Sequence, residues 1–264
     1  MTLEQVTPGP FPPGLRWLVV VAHPDDEVLG CGALLSRLRD VEVVHVTDGA
    51  PRGGEDARRH GFDTPEAYAA ARWREARAAL ALAGVTEARH HGLGIADQGA
   101  AHALAEVARR LLPVVARAGA VLTHAYEGGH PDHDAVAFAV HAAVRLAGAA
   151  VPVYEMPFYH AAPEGWARQV FLPGGGSPHG LALSEAERDL KRRMAACHAT
   201  QGATLAGFAL DRESFRLAPP HDFTRRPHGG DLLYERHGWG LDWAGWAAAV
   251  RGAEAELGLA GATP

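Results

Sequence analysis

LVVVAHPDDE, residues 18–27, begins as an unbroken apolar run and ends in a histidine and three carboxylates. Five successive apolar residues predict a strand buried on both faces, as in a parallel sheet. Pro24 ends this strand, because its ring removes a hydrogen-bond donor and restricts the residue before it. Metal-ligand and proton-transfer groups therefore follow the carboxyl end of a strand, which is where open α/β sheets place their sites.

A second polar group of the same kind occurs about a hundred residues later. His130-Pro131-Asp132-His133 follows another apolar run, at residues 120–123. Polar residues that only make a protein surface soluble do not typically form two His-Pro-Asp groups that each follow a predicted strand. Together they indicate a metal-dependent hydrolase.

Apolar runs and helical patterns alternate over the first 160 residues. This order predicts an α/β fold, a Rossmann-like, mostly parallel sheet with helices on both faces. We expect one domain over residues 1–264, with a loose N-terminal arm at 1–14 and an irregular C-terminal lobe or cap at about 200–264. The predicted strands are Leu18–Ala22, Val41–Thr47, Ala88–Gly92, Ala120–His124 and Val151–Met156, and the predicted helices are Glu27–Leu38, Pro65–Ala83, Ala101–Ala118 and His133–Ala147.

Composition excludes several classes of protein. The net charge of -6 and the lack of a long basic run argue against a nucleic-acid partner, because phosphate binding needs clustered positive charge. Apolar runs stay far below the roughly 18 residues that a membrane span needs. The N-terminus lacks the pattern of a signal peptide, and Cys31 and Cys197 form no CxxC pair. We therefore expect a cytoplasmic protein.

The spacing of the polar groups suits a catalytic zinc, which takes three ligands from His, Asp or Glu and leaves one position for water. His23 and Asp26 are three residues apart at a strand-to-helix turn, and His130 and His133 have the same spacing. Two histidines and one carboxylate from these groups would complete the site, with Asp25 left as a general base. Alternatively, the acidic residues could simply complement a helix dipole, but that effect supplies at most about 1 kcal/mol and does not require His23.

These motifs carry a resemblance to a known family. AHPDDEVLGCG at residues 22–32 and GHPDHD at 129–134 resemble the LmbE/PIG-L family of zinc-dependent N-deacetylases, whose members remove acetyl groups from N-acetylglucosamine-type substrates. The similarity continues at residues 46–49, 72–75, 97 and 126–129.

The resemblance implies a role for each residue of the two motifs. His23, Asp26 and His133 would bind zinc, and Asp25 would be the general base. His130 would face the tetrahedral intermediate, with Asp132 orienting it.

Two further positions resemble sugar-binding residues of deacetylases that act on glucosaminyl-inositols, namely Arg72 and Asp97. Their loss is expected mainly to raise KM. Arg72 could instead be an ordinary solvated helix residue or the ion-pair partner of Glu75. Ala50 stands where those relatives carry an acidic residue, which argues against a mycothiol-type substrate.

The predicted function is therefore a zinc-dependent hydrolase that removes an N-acetyl group from an amino-sugar-type substrate and releases acetate. An amidase acting on another sugar-linked conjugate and a non-catalytic metal- or sugar-binding module are the alternatives. Asp25 argues against a non-catalytic module, because such a module has no use for an uncoordinated base beside a metal. The sequence also lacks a glycine loop that could bind phosphate, which argues against a phosphoesterase. The partner would be a small N-acetylated amino sugar or conjugate. The sequence is compatible with Fe²⁺ in place of Zn²⁺ and with assembly as a homo-oligomer.

Overall fold

The computed structural model describes residues 14–148 and 150–261, so the predicted N-terminal arm lies outside the described residues apart from Gly14. The strands are β1 Trp17–Val21, β2 Val41–Pro51, β3 His90–Asp97, β4 Ala120–His124, β5 Val153–Met156, β6 Tyr159–Ala162, β7 Gly165–Arg168, β8 His179–Leu181 and β9 Glu213–Leu217. The helices are α1 Asp26–Leu35, α2 Glu55–Arg59, α3 Pro65–Leu82, α4 Leu104–Val115, α5 Pro131–Ala147, α6 Glu185–Cys197, α7 Gly202–Leu205, α8 Leu233–His237 and α9 Trp243–Glu256.

The main sheet has seven strands in the order β3-β2-β1-β4-β5-β9-β8. The first five strands in this order are parallel to one another, whereas β9 is antiparallel to both of its neighbours, β5 and the edge strand β8. The predicted α/β fold with a mostly parallel sheet is therefore confirmed. Because β1 lies between β2 and β4, the chain reverses its winding direction there, and a crevice opens beyond the carboxyl ends of β1 and β4.

β1 explains why an unbroken apolar run is required at this position. Leu18 and Val20 pack into a core with α4 and α5 on one face of the sheet. Val19 and Val21 pack into a second core with α1 and α6 on the other face. Both faces of β1 are thus covered, so neither alternate position can be polar.

Several element boundaries differ from the sequence prediction by up to five residues, and two of these differences have a local cause. β3 begins at His90 instead of Ala88, because Glu87–Arg89 form a short 3-10 turn. α5 begins at Pro131, two residues earlier than predicted, because the His130 side chain caps the helix. Proline suits this first helical position, since its missing N–H would have no partner there.

The C-terminal residues from about 200 onward contain more regular structure than the sequence indicated. They supply β9 to the main sheet, and α9 buries Trp246 completely in the core around α4 and α5. Among the described residues, none of the helices combines the length and the apolar character needed to span a bilayer.

Candidate active site

The turn between β1 and α1 carries the first group of polar side chains. Asp25 occupies the N-cap of α1 with a φ of 141°, a conformation that L-residues rarely adopt. Its carbonyl oxygen accepts hydrogen bonds from the amides of Val28 and Leu29. Strained backbone of this kind costs about 1–3 kcal/mol and is concentrated at functional sites.

The N-terminus of α5 carries the second group. The His130 Nδ1 atom accepts a hydrogen bond from the Asp132 amide at 3.2 Å, which caps the helix. His133 lies in the first turn, and its ring stacks on that of His124 at the end of β4, with 4.1 Å between the ring centroids. Both predicted motifs therefore meet at the carboxyl ends of β1 and β4.

His23, Asp26 and His133 form a compact triangle of metal-ligand atoms. His133 Nε2 lies 3.3 Å from His23 Nδ1 and 3.4 Å from Asp26 Oδ1, and Asp26 Oδ2 lies 3.3 Å from His23 Nδ1. Bonds of about 2.0–2.1 Å to a tetrahedral zinc would separate two ligand atoms by roughly 3.3 Å. All three residues are buried, so the donor set and its spacing fit a divalent metal ion.

The other nitrogen of His23 faces two carboxylates. Its Nε2 atom lies 3.2 Å from Asp97 Oδ1 and 3.3 Å from Asp132 Oδ2. Burial lowers the pKa of His23, but Asp97 and Asp132 outweigh that effect and raise it well above the ordinary value. Carboxylates commonly hold the second nitrogen of a metal-binding histidine in this way, so Nδ1 is the His23 atom that would face a metal ion.

Asp132 contacts the backbone as well as His23. Its carboxylate accepts hydrogen bonds from the amides of Gln98, at 2.6 Å, and Ala100, at 3.0 Å. The same carboxylate is 4.0 Å from His130 Nδ1, so the direct hydrogen bond to that histidine comes from the Asp132 amide. Asp132 thus ties the end of β3 to the start of α5.

Arg72 is buried and makes its hydrogen bonds inside the protein. Its Nη2 atom donates to Asp25 Oδ2 and to the Pro24 carbonyl, both at 2.9 Å, and Nη1 donates to the Gly49 carbonyl. Gly49 has a φ of +67°, which L side chains rarely adopt, and a Cβ there would collide with the Arg72 guanidinium, so both features favour glycine at this contact. The alternative readings of Arg72 as a solvated residue or as the partner of Glu75 are wrong, because Glu75 instead accepts hydrogen bonds from Thr200.

Burial and two neighbours with opposite charges set the protonation of Asp25. Burial raises its pKa, Arg72 lowers it and Asp26 raises it, and the result is a pKa of about 6. A carboxyl group with this pKa is mostly ionised at neutral pH and still basic enough to accept a proton. Asp25 therefore has the protonation behaviour of a general base.

His130 and Asp97 complete the surroundings of His23. Asp97 Oδ1 lies 3.8 Å from His130 Nε2, and Asp97 Oδ2 lies 4.0 Å from Arg72 Nη1. Burial, and then the charge of His23, lower the pKa of His130 well below its ordinary value, so its ring is neutral. Because Nδ1 accepts the Asp132 amide, the proton of the neutral ring is on Nε2, the atom that faces Asp97.

A sequence profile of the PIG-L family, described as GlcNAc-PI de-N-acetylase, matches residues 18–144. Residues 18–144 form a PIG-L family domain. A search of curated proteins gave no match.

Solved structures extend the likeness beyond the PIG-L domain. The A40926 pseudoaglycone deacetylase Dbv21 is 27% identical, with a TM-score of 0.58 over 73% of this chain and 84% of that one. A triple mutant of the deacetylase of teicoplanin biosynthesis is 28% identical, with a TM-score of 0.57 over 73% and 85% of the two chains. GalB, the 4-carboxy-2-hydroxymuconate hydratase from Pseudomonas putida KT2440, is 23% identical with a TM-score of 0.52 over 71% and 80%, a likeness of fold alone.

The PIG-L domain also contains a buried histidine–carboxylate chain that sequence reasoning missed. Glu27 Oε2 accepts a hydrogen bond from the Asp25 amide at 3.0 Å and lies 2.8 Å from His45 Nε2. His45 Nδ1 is in turn 2.9 Å from His90 Nε2. Burial raises the pKa of Glu27, but His45 and His198 outweigh it and hold the pKa well below its usual range. The available signal was His45 itself, a polar residue within the apolar run of β2.

Proposed function

We propose that this protein is a zinc-dependent N-deacetylase that removes an acetyl group from an amino-sugar-type substrate and releases acetate. Membership of residues 18–144 in a de-N-acetylase family supports the reaction class. The single observation that carries the proposal is the position of Asp25, a strained and buried carboxylate with a pKa of about 6, directly before the ligand Asp26.

His23, Asp26 and His133 would hold the metal, since their ligand atoms form the triangle described above. When bound there, a divalent ion would lower the pKa of a water molecule and polarise the amide carbonyl. Asp26 suits this role because His133 and His23 outweigh its burial and hold its pKa well below the usual range, so it is ionised. The donor set of two imidazoles and one carboxylate fits Zn²⁺ and also Fe²⁺.

Asp25 would take a proton from the attacking water and return a proton to the leaving amine. Both steps require a group that changes protonation near neutral pH, as its pKa of about 6 allows. Arg72 holds the carboxylate in place through Oδ2, and the Asp25 amide is fixed by Glu27. Asp25 is therefore preorganised for proton transfer.

His130 would stabilise the negative charge that develops on the carbonyl oxygen. A neutral imidazole with its proton on Nε2 can donate a hydrogen bond to an oxyanion without first being protonated. Its Nδ1 is already held by the Asp132 amide, which fixes the ring at the N-terminus of α5. The positive end of the helix dipole favours negative charge at the same place.

The C-terminal residues would shape the mouth of the site. The Trp239 ring lies 5.1 Å from that of His130 and 6.1 Å from that of Trp166 in β7, measured between ring centroids. These rings offer an apolar surface beside the catalytic residues, suited to one face of a sugar ring or to an attached apolar group. We assign Asp97, which is only 12% exposed, to a substrate hydroxyl near His130.

Acetate release and phosphate release from two substrate panels would test this proposal. We expect the purified protein with Zn²⁺ to release acetate from N-acetylated amino sugars and no phosphate from generic phosphate esters. Acetate release only from other sugar-linked amides would favour the amidase alternative. Binding of sugars without turnover of any amide would favour the non-catalytic module and contradict the proposal.

A further inference from the structure

A second group of metal-ligand side chains lies away from the catalytic residues. The ligand atoms of His141, Glu155 and His221 all lie within 4.8 Å of one another. His141 is on α5, more than two turns beyond His133, which places it about 12 Å further along the helix axis. Glu155 is on β5, and His221 follows β9. Three separate parts of the chain therefore converge here.

One nitrogen in this cluster has no hydrogen-bond partner in the part of the chain that the structure describes. His141 Nε2 is buried and makes no hydrogen bond to any of the described residues. The neighbours of its ring are the rings of His221, at 5.3 Å and nearly perpendicular, and of Phe223, at 5.5 Å. With no hydrogen bond among the described residues to give up, this nitrogen is available to bind a metal ion.

Glu155 is oriented by an arginine that leaves one carboxylate oxygen for the histidines. Arg216 Nε donates to Glu155 Oε2 at 2.9 Å, while Oε1 contacts His221 Nε2. Arg216 is itself held by hydrogen bonds to the carbonyls of Leu172 and Gly174. Carboxylates that bind metals are commonly fixed by such an outer hydrogen bond.

A cavity of about 570 Å³ adjoins the cluster, and both His141 and His221 line it. His141 and His221 are only partly buried, whereas Glu155 is fully buried. Asp222 and Glu254 line the same cavity together with Arg145, which lies 3.9 Å from Glu254. A cation therefore has both a route to the histidines and room for a further ligand.

From this geometry we propose that His141, Glu155 and His221 form a second metal site, for a divalent transition-metal ion such as Zn²⁺. Two imidazole nitrogens and one carboxylate oxygen are the donors that Zn²⁺ prefers, and the cavity supplies the fourth position for water or a small anion. The ion would link α5, β5 and the segment after β9. The site is independent of the catalytic triangle and of the proposed deacetylase activity.

Counting bound metal in the full-length protein tests this proposal. Wild type, His141→Gln and His133→Ala would each be loaded with Zn²⁺, dialysed and analysed for metal content. We expect about two ions per chain in wild type and about one in each variant, because each variant disrupts one three-ligand site. The double variant His141→Gln/His133→Ala should retain almost none.

A measurement of metal binding by the His133→Ala protein does not depend on whether the His141 variant folds. With Co²⁺ as the probe, the ion left in His133→Ala should give the visible absorption of a site with nitrogen ligands, and His221→Asn added to it should abolish that absorption. A wild type that binds about one ion, which is lost in His133→Ala and kept in His141→Gln, would overturn the second site and leave the catalytic one intact. Failure of His133→Ala to bind any metal would also overturn it.

Discussion

The Arg72 guanidinium donates a hydrogen bond to the Asp25 carboxylate at 2.9 Å, and both side chains are buried. This contact joins α3 to the turn after β1 and holds the Asp25 carboxylate in place. Burial raises the pKa of Asp25, and Arg72 opposes that effect. The resemblance to sugar-binding deacetylases implies that Arg72 contacts substrate. Its contacts within this protein indicate that it positions the general base.

Replacing Arg72 should change the pH dependence of the reaction. Arg72 lowers the pKa of Asp25, so in Arg72→Gln that pKa should rise. Because the base acts when ionised, the acid limb of kcat/KM against pH should move to higher pH, and kcat near pH 6 should fall. Arg74→Gln, a change at an exposed position of the same helix, is the matched control. An increase in KM alone, with the acid limb unmoved, would instead support direct contact with substrate.

Asp25→Asn should abolish most of the hydrolysis while the protein stays folded. The substitution keeps the shape of the side chain but removes its ability to accept a proton, so we expect a loss in kcat of about a hundredfold or more. Metal content should match that of wild type, since Asp25 is outside the triangle of His23, Asp26 and His133. Activity close to wild type would show that another group moves the proton.

His130→Ala should lower kcat more than it raises KM. A hydrogen bond that forms only to the developing oxyanion contributes about 10²–10³ in kcat. Steady-state kinetics on one N-acetylated amino sugar would separate the two parameters. His102→Ala, which alters an exposed histidine, is the control. Equal kcat in the two variants would remove His130 from the chemistry.

Lys191, the only lysine of the chain, supports a prediction about stability. It is completely buried and donates to Glu213 at 3.0 Å and to the Leu29 carbonyl at 2.8 Å. Lys191→Met would leave the Glu213 charge buried without its cation, which costs about 3–5 kcal/mol of unfolding free energy. Urea denaturation would measure this cost against Arg192→Met, whose side chain is 52% exposed. Equal stability of the two variants would show that the buried Glu213 carboxylate does not need the Lys191 cation.

The sequence predicted those parts of the fold that depend on local pattern. β1 and β4 were predicted because burial on both faces demands apolar runs such as that of β1. The edge strand β3 is only partly buried and lacks such a run, so the prediction overlapped it only at its first three residues. β9 was missed because Glu213 and Arg216 within it are polar, and only the folded chain reveals that each forms a buried ion pair, with Lys191 and Glu155 respectively.

The same limit applies to the candidate site. Its proposed ligand triangle lies within two short motifs, each placed by its strand, so spacing narrowed the ligands to the histidines and carboxylates of these motifs. The resemblance to the LmbE/PIG-L family then implied His23, Asp26 and His133 among them. The contact between Arg72 and Asp25 joins positions 47 residues apart and depends on how α3 packs beside β2. The cluster of His141, Glu155 and His221 is formed by residues from three distant segments, so no short sequence motif predicts it.

Amide hydrolysis should require a metal ion at His23, Asp26 and His133. This requirement can be tested by measuring the rate of acetate release from an N-acetylated amino sugar by metal-free protein, before and after Zn²⁺ is restored. We expect almost no acetate from the metal-free protein, recovery on adding Zn²⁺, and no recovery in Asp26→Asn. Acetate release at the full rate without metal, or full recovery in Asp26→Asn, would show that hydrolysis does not depend on a metal ion at these residues.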